Sequence, residues 1–172
     1  MNRAYRVFLA INATSWMLVV YFIKIEYTIA PYPAWLFSIF LLLIPIVFSK
    51  ISLILTCRLS RDNIDECCEL KDVNNTFLPT YLGYFFIGIG IVKCQLLIFV
   101  YLIVLSFTYL SQSQYFNPIF LLFGYRFYEI KTSKGTNLFL IARKNLRNIN
   151  DVKFTDMRRI NDTTFFVRED KE

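Results

Sequence analysis

Few side chains in this chain of 172 residues could carry acid–base or metal chemistry. Histidine, the commonest general base and a frequent metal ligand, is absent from the sequence. The four cysteines show no metal-ligand spacing, and the adjacent pair lies in a charged segment, which suits thiols in a reducing compartment. They are Cys57, Cys67, Cys68 and Cys94. We therefore expect no zinc site and no disulfide framework.

Carboxylates cluster once, in the polar segment 58–76. The cluster consists of Asp65, Glu66, Glu69 and Asp72. It lacks a glycine-containing loop that could wrap a cation, so we interpret it as a solvated face, with the first half of the segment extending the preceding helix. The sequence contains no P-loop, GxSxG, HExxH, CxxC or dinucleotide-binding motif. We expect that the chain is not an enzyme and uses neither a metal nor a cofactor.

The composition indicates an integral membrane protein. Apolar residues make up 56% of the chain and aromatic residues 18%, more than a soluble core of this length can bury. A bilayer can take up this surplus, and four apolar segments are candidates to cross it. We predict spans at 7–23, 34–57, 77–92 and 94–110, with a charged cytoplasmic loop at 58–76.

The first span holds the polar residues Asn12, Thr14 and Ser15. Asn12 and Ser15 share one helix face, so we predict that they hydrogen-bond a neighbouring helix. In an oligomer, these three side chains could instead line a pore.

The count of four spans depends on residues 77–110, which are interrupted only by Lys93 and Gln95. Splitting this region at Lys93 gives two short crossings and places every basic-rich segment on one side, with only Lys24 and Lys93 outside. We therefore predict that both termini are cytoplasmic. Glycines at 83, 88 and 90 should allow close helix contact in the third span.

Residues 115–172 predict a small basic domain of antiparallel strands on the cytoplasmic side. One hairpin is expected from 126–132 and 136–143 around Gly135, and a second from 152–160 and 163–168 around Asn161 and Asp162. The apolar run 119–125 is too short to cross a bilayer and is interpreted as a buried strand or an interfacial segment. Alone the sheet would be marginal, so we expect it to pack on the helices or on further copies.

The net charge of +6 lies mainly in this domain, where eleven basic residues face seven acidic ones after residue 125. The basic clusters are Arg143, Lys144 and Arg147, and Arg158 with Arg159. Anionic lipid headgroups, an acidic protein partner and nucleic acid are the candidate ligands. Direct nucleic-acid binding is not expected, because no nucleic-acid motif accompanies the charge.

The whole plan resembles the KwaA family, the membrane component of the Kiwa antiphage defence system. Four spans in about 110 residues are followed by Phe116-Asn117-Pro118, Gly124-Tyr125, Tyr128-Glu129 and the basic β-rich tail. The resemblance implies a bacterial inner-membrane protein that assembles as an oligomer and senses phage attack. It also implies a cytoplasmic DNA-binding partner, KwaB, that acts on phage DNA.

Three functions are compatible with these features. The first is a sensor and scaffold that recruits and regulates a cytoplasmic effector, working as a homo-oligomer with a tetramer as the candidate stoichiometry. The second is an oligomeric ion channel or small-solute permease. The third is an effector that perturbs the membrane itself.

Overall fold

The computed structural model of the chain describes residues 3–25, 33–62, 67–76, 78–111, 117–143, 145–146 and 157–167. The described helices are α1 Arg3–Lys24, α2 Ala34–Leu55, α3 Leu78–Gly90, α4 Cys94–Leu110 and α5 Pro118–Leu122. A single 3₁₀ turn at Thr56–Arg58 follows α2. The described strands are β1 Arg61–Asp62, β2 Cys67–Asp72, β3 Arg126–Thr132, β4 Asn137–Ala142, β5 Met157–Arg159 and β6 Thr164–Val167.

Two of these helices are long and apolar enough to cross a membrane. They cover Arg3–Lys24 and Trp35–Arg58, with 22 and 24 residues. The other two apolar helices are shorter, since α3 has 13 residues and α4 has 17. At 1.5 Å per residue they reach about 20 and 26 Å, against about 30 Å of hydrocarbon. Four crossings therefore remain a prediction.

The four long helices run alternately up and down. Asn12 of α1 meets Ser49 of α2, whereas Tyr5 near the start of α1 meets Ser52, further along α2, so these helices are antiparallel. The ring of Trp16 packs 5.9 Å from that of Phe85, and Lys24 reaches the end of α3, so α1 and α3 are parallel.

Contacts with α4 complete this arrangement. The Arg6 guanidinium lies over the Tyr109 ring, and the Thr14 hydroxyl is 3.4 Å from that of Tyr101. The start of α1 thus meets the end of α4, and the two helices are antiparallel.

Residues 91–93 connect α3 to α4 and are not helical, and Lys93 adopts an extended conformation just before α4. At this end of the bundle, Lys24 of α1 binds the end of α3. Its ammonium donates to the backbone oxygens of Ile89 and Ile91, at 2.5 and 3.2 Å. The Ile89 carbonyl belongs to the last turn of α3 and the Ile91 carbonyl directly follows the helix, so no further turn of α3 satisfies either oxygen, and the lysine serves as a C-terminal cap.

Only one of the three glycines in α3 is a site of close helix contact. A Cβ on Gly88 would lie 2.7 Å from the backbone oxygen of Met17 in α1, whereas nothing lies within 4 Å of a Cβ on Gly83 or Gly90. The expectation for α3 therefore holds at Gly88 alone.

The strands form one six-stranded mixed sheet in the order β1-β5-β6-β4-β3-β2. The prediction of a purely antiparallel sheet is wrong, because β4 and β6 pair in parallel through Phe139–Thr164, Leu140–Phe165 and Ile141–Phe166. Both predicted hairpins are confirmed within the described residues. The strands β3 and β4 pair around Gly135, whose φ is 81°, and β5 pairs with β6 around Asn161, whose side-chain oxygen accepts from the Thr163 amide at 2.8 Å.

We predicted that the connector 58–76 extends helix α2 and then forms a loop, and this prediction is wrong. Helix α2 ends at Leu55, and the connector supplies β1 and β2, which form the two edges of the sheet. β1 pairs with β5, and β2 pairs with β3. The acidic residues Glu69 and Asp72 lie in β2, whereas Asp65 and Glu66 are outside the described residues.

The two edge strands require the sheet to curl. A flat sheet would place its edges about 24 Å apart, at about 4.8 Å for each step between strands. Only four residues separate Asp62 from Cys67, and five Cα steps reach at most about 18 Å. The curl is towards the face that carries Tyr128, Leu140 and Phe165, because Leu70 of β2 and Met157 of β5 join the same core cluster.

The opposite face of the sheet packs on the helices. Its core residues Phe127, Ile141 and Phe166 lie side by side on β3, β4 and β6. They share one cluster with Tyr5 and Leu9 of α1. The sheet therefore lies at the end of the bundle where α1 begins.

Candidate functional site

A buried polar cluster connects two long helices to the segment that leads into the sheet. Its centre is the hydroxyl of Ser49, which accepts from Asn12 Nδ2 and from Asn117 Nδ2, both at 2.9 Å, and donates to the backbone oxygen of Pro45 at 2.8 Å. A serine hydroxyl has one donor and two acceptor sites, so this one is fully used. We call Asn12, Ser49 and Asn117 the polar joint. Each of them is at most 1% exposed.

Helix α2 positions Ser49 through its proline. Pro45 lies inside α2 and cannot donate a backbone hydrogen bond. Ser49 follows one turn later and bonds back to the Pro45 carbonyl, a contact that holds the serine side chain against its own helix. The two lone pairs of the hydroxyl are then presented towards α1 and α5.

Asn117 serves two elements with one side chain. Its Oδ1 accepts from the Ile119 amide at 3.0 Å and caps α5, where Pro118 occupies the first position. Its Nδ2 donates to Ser49. The strand alternative for residues 119–125 is therefore wrong, because this run begins with a helix that an Asn-Pro pair starts.

Helix α5 passes the connection on to the sheet. Phe120 is 2% exposed and stacks on Phe127 of β3 with ring centroids 6.4 Å apart. Beside it, the Tyr125 ring lies 5.1 Å from that of Phe166 in β6. A continuous path thus runs from α1 and α2 through the polar joint and α5 to the central strands.

The two predicted interhelical residues differ in their bonding. Asn12 bonds α2 through Ser49, whereas the Ser15 hydroxyl donates to the Asn12 backbone oxygen at 2.6 Å, within its own helix. The Oδ1 of Asn12 is buried and has no hydrogen-bond partner in the part of the chain that the structure describes. Thr14 also bonds within α1, to the Ala10 carbonyl at 2.9 Å.

Of the two predicted basic clusters, the structure describes Arg143, Arg158 and Arg159. Arg158 donates to the Leu59 backbone oxygen at 2.9 Å, and Arg159 pairs with Asp62 at 3.2 Å and with Asp162 at 2.8 Å. These contacts tie the β5–β6 hairpin to the edge strand β1. Arg143 is exposed after β4, and Lys144 and Arg147 lie outside the described residues. Binding of a partner or headgroup by these clusters stays a prediction.

The cysteines are thiols without a disulfide. Burial raises the pKa of the Cys67 thiol, and the neighbouring Cys68 raises that pKa further. Within the described residues, no group of three or more cysteine and acidic side chains could hold a metal ion.

Sequence reasoning missed two members of the polar joint. A serine in an otherwise apolar span, four residues after a proline, is the signal for Ser49. The Asn-Pro pair at 117–118 is the signal for a helix start at α5. Neither signal identifies the partner across the fold.

The arrangement defines a class of protein in which a bundle of apolar helices, two of membrane-spanning length, is joined to a curled mixed sheet. The family model of the anti-phage protein KwaA matches residues 5–166, nearly the whole chain. The chain belongs to this family, which assigns it to antiphage defence as a part of the Kiwa system. No curated protein and no solved structure gives a significant match.

Proposed function

We propose that this chain is the membrane-embedded sensor and scaffold of an antiphage defence complex, which recruits and regulates a cytoplasmic DNA-binding effector. The observation that carries the proposal is the polar joint. It links α1 and α2 to α5 and, through Phe120, to the sheet, so a displacement of the helices would reach the soluble side. The chain itself performs no catalysis in this proposal.

Placement of all four helices in the inner membrane is part of the proposal. Large apolar side chains are exposed along α2, α3 and α4, for example Trp35, Phe40, Ile54, Phe86, Phe99, Phe107 and Leu110. Leaving such a side chain in water costs about 1.5–3 kcal/mol relative to burial, so lipid or a further copy of the chain must cover these faces. A homo-oligomer, with a tetramer as the candidate, accounts for part of that cover.

The direction of the helices supports cytoplasmic termini. Arg3 and Arg58 lie at the end of the bundle where the sheet packs, whereas Lys24 caps α3 at the other end, next to Lys93. The positive-inside rule then puts the sheet in the cytoplasm. The short α3 and α4 fit this topology through tilt or local thinning of the bilayer.

No observation favours the channel. Asn12, Thr14 and Ser15 are buried between helices of one chain and bonded there, so they do not face a common axis of several copies.

The test replaces the centre of the polar joint. Ser49→Ala removes the hydroxyl that both asparagines share. Ser106→Ala is the matched control, because Ser106 is exposed on α4 and, among the described residues, bonds the Leu102 carbonyl of its own helix. Cells carrying the chain with its neighbouring genes are challenged with phage. Membrane levels of the chain and co-purification of the effector in mild detergent are measured in parallel.

We expect Ser49→Ala to reach the membrane and bind the effector, yet to lose at least about tenfold in protection, because the link between the helices and the sheet is weakened. Ser106→Ala should protect like the unmodified chain. Full protection by Ser49→Ala would refute transmission through the joint, and failure of the unmodified chain to retain any soluble partner would refute the scaffold role.

A further inference from the structure

Arg6 is a cation without a hydrogen-bonded counterpart in the described part of the chain. Its Cζ lies 5.3 Å from the centre of the Tyr109 ring, and its Nε is buried without an acceptor. Lys131 and Arg159, by contrast, form ion pairs with acidic side chains. The Arg6 guanidinium is thus held by an aromatic ring and, among the described residues, has no carboxylate to neutralise its charge.

The contacts of Arg6 indicate which kind of ligand its guanidinium would bind. A guanidinium presents five N–H donors in a rigid fork that matches the oxygens of a phosphate, and its contact with an aromatic face fixes its orientation in advance. A guanidinium charge that no acidic side chain of the described residues neutralises favours an anionic ligand over a neutral one.

The surroundings of Arg6 show where that phosphate comes from. On the face of α4 that carries Tyr109, Leu102 lies two turns earlier, and Leu110 directly follows Tyr109; these side chains are 53% and 70% exposed. Arg3 lies one turn before Arg6 on α1 and is exposed. A molecule that fits must therefore combine an anionic phosphate with long apolar chains, as an acidic phospholipid does.

We propose that Arg6, with Arg3 and the Tyr109 ring, forms a binding site for the phosphate of an acidic phospholipid in the cytoplasmic leaflet. The site lies between the start of α1 and the end of α4, next to the packing of Tyr5 and Leu9 on the sheet. It deepens the proposed function, since it requires the bundle to be in the membrane. Its occupant would hold the end of the bundle from which the polar joint leads to the sheet.

The experiment measures lipid selectivity of the purified full-length chain. Protein in detergent is exchanged into nanodiscs of phosphatidylcholine with or without phosphatidylglycerol, and bound lipid is counted by native mass spectrometry. We expect phosphatidylglycerol to be retained preferentially and Arg6→Gln to lower this preference about fivefold, the ratio that about 1 kcal/mol for one arginine near an anionic surface gives. Arg6→Lys should recover only part of it, because an ammonium lacks the fork.

Lys134→Gln is the control, since it removes the same charge at the β3–β4 turn, at the opposite end of β3 from α5. Equal lipid preference in Arg6→Gln and the unmodified chain would overturn the proposal. So would equal binding of inorganic phosphate or an acidic peptide, which would show a general anion site. Carbonate extraction of membranes separates the two levels: a chain that washes out refutes membrane embedding, whereas one that stays without lipid preference refutes only this site.

Discussion

At the scale of single residues, the Ser49 hydroxyl is the group that links α1, α2 and the start of α5. Its donor site binds the Pro45 carbonyl, and its two acceptor sites bind the side chains of Asn12 and Asn117. Any rotation of the hydroxyl would therefore break at least one of these three hydrogen bonds. In a low-dielectric interior, such a saturated group is strong when complete and costly when one partner is lost. The joint therefore favours one relative placement of α1, α2 and α5.

Asn117→Ala should destabilise the chain by about 2–3 kcal/mol. Loss of a helix N-cap costs about 1 kcal/mol, and the unpaired Ser49 lone pair adds about 1–2 kcal/mol. Asn145→Ala is the matched control, because Asn145 is exposed and accepts only a surface bond from Arg126. Thermal unfolding in detergent should show the difference, and similar melting temperatures for the two variants would contradict the role of Asn117.

Sequence reasoning identified one of the three residues of the polar joint, Asn12. Asn12 stands out because an amide in an apolar span must find a partner, so an interhelical bond is foreseeable. Ser49 and Asn117 are 68 residues apart, and each can satisfy a local role first, as a back-bonded serine and as an N-cap. Their meeting depends on how the helices pack, which no local pattern specifies.

At the scale of elements, α3 and α1 approach each other closely at Gly88. Gly88 lies against the Met17 carbonyl and the Val20 side chain, and a methyl group there would come within 2.7 Å of backbone. Backbone cannot rotate away as a side chain can, so the helices would have to separate. Small residues are used in this way where helices pack in a membrane.

Gly88→Ala should therefore destabilise the bundle by about 1–3 kcal/mol, the usual cost of overpacking. Gly83→Ala in the same helix has open space around it and should be neutral or stabilising by up to about 1 kcal/mol, because alanine is the better helix former. Urea-induced unfolding of both variants in the same detergent tests this. A loss of stability in Gly83→Ala as large as that in Gly88→Ala would contradict the role of the close contact at Gly88.

The success of element prediction depends on how local the determinants are. The hairpin β3–β4 could be predicted because its turn carries a glycine, which adopts φ 81°. The hairpin β5–β6 could be predicted because Asn161 forms a local turn. β1 has two residues, and β2 is rich in charge, so neither has the apolar alternation of a strand. They form because partner strands far along the chain offer open edges.

At the scale of the whole molecule, both edges of the sheet come from the connector between α2 and α3. The edge strands β1 and β2 are therefore tied to the helices, while the C-terminal part of the chain supplies the four central strands. Because only four residues lie between β1 and β2, the sheet has to curl. The sheet is not an appendage on a finished bundle, because the chain enters it between the second and third helices. This interleaving makes the two parts one mechanical unit.

The native cysteines test the proposed topology without added reporters. One helix, α3, separates Cys57 from Cys94, and Cys94 lies at the end of the bundle that Lys24 caps, so the four-span arrangement puts these exposed thiols on opposite sides. In intact cells, a membrane-impermeant maleimide should label a variant that retains only Cys94 and spare one that retains only Cys57. Permeabilised cells should label both.

A variant that retains only Cys67 gives an internal check on the sheet side. It should be labelled only after permeabilisation, and more slowly than Cys57, because burial raises the pKa of the Cys67 thiol and thereby lowers the thiolate fraction near neutral pH. Raising the pH through the pKa of Cys67 should narrow the difference in rate. Labelling of Cys57 or Cys67 in intact cells would place the sheet outside, and the proposed contact with a cytoplasmic effector would then be impossible.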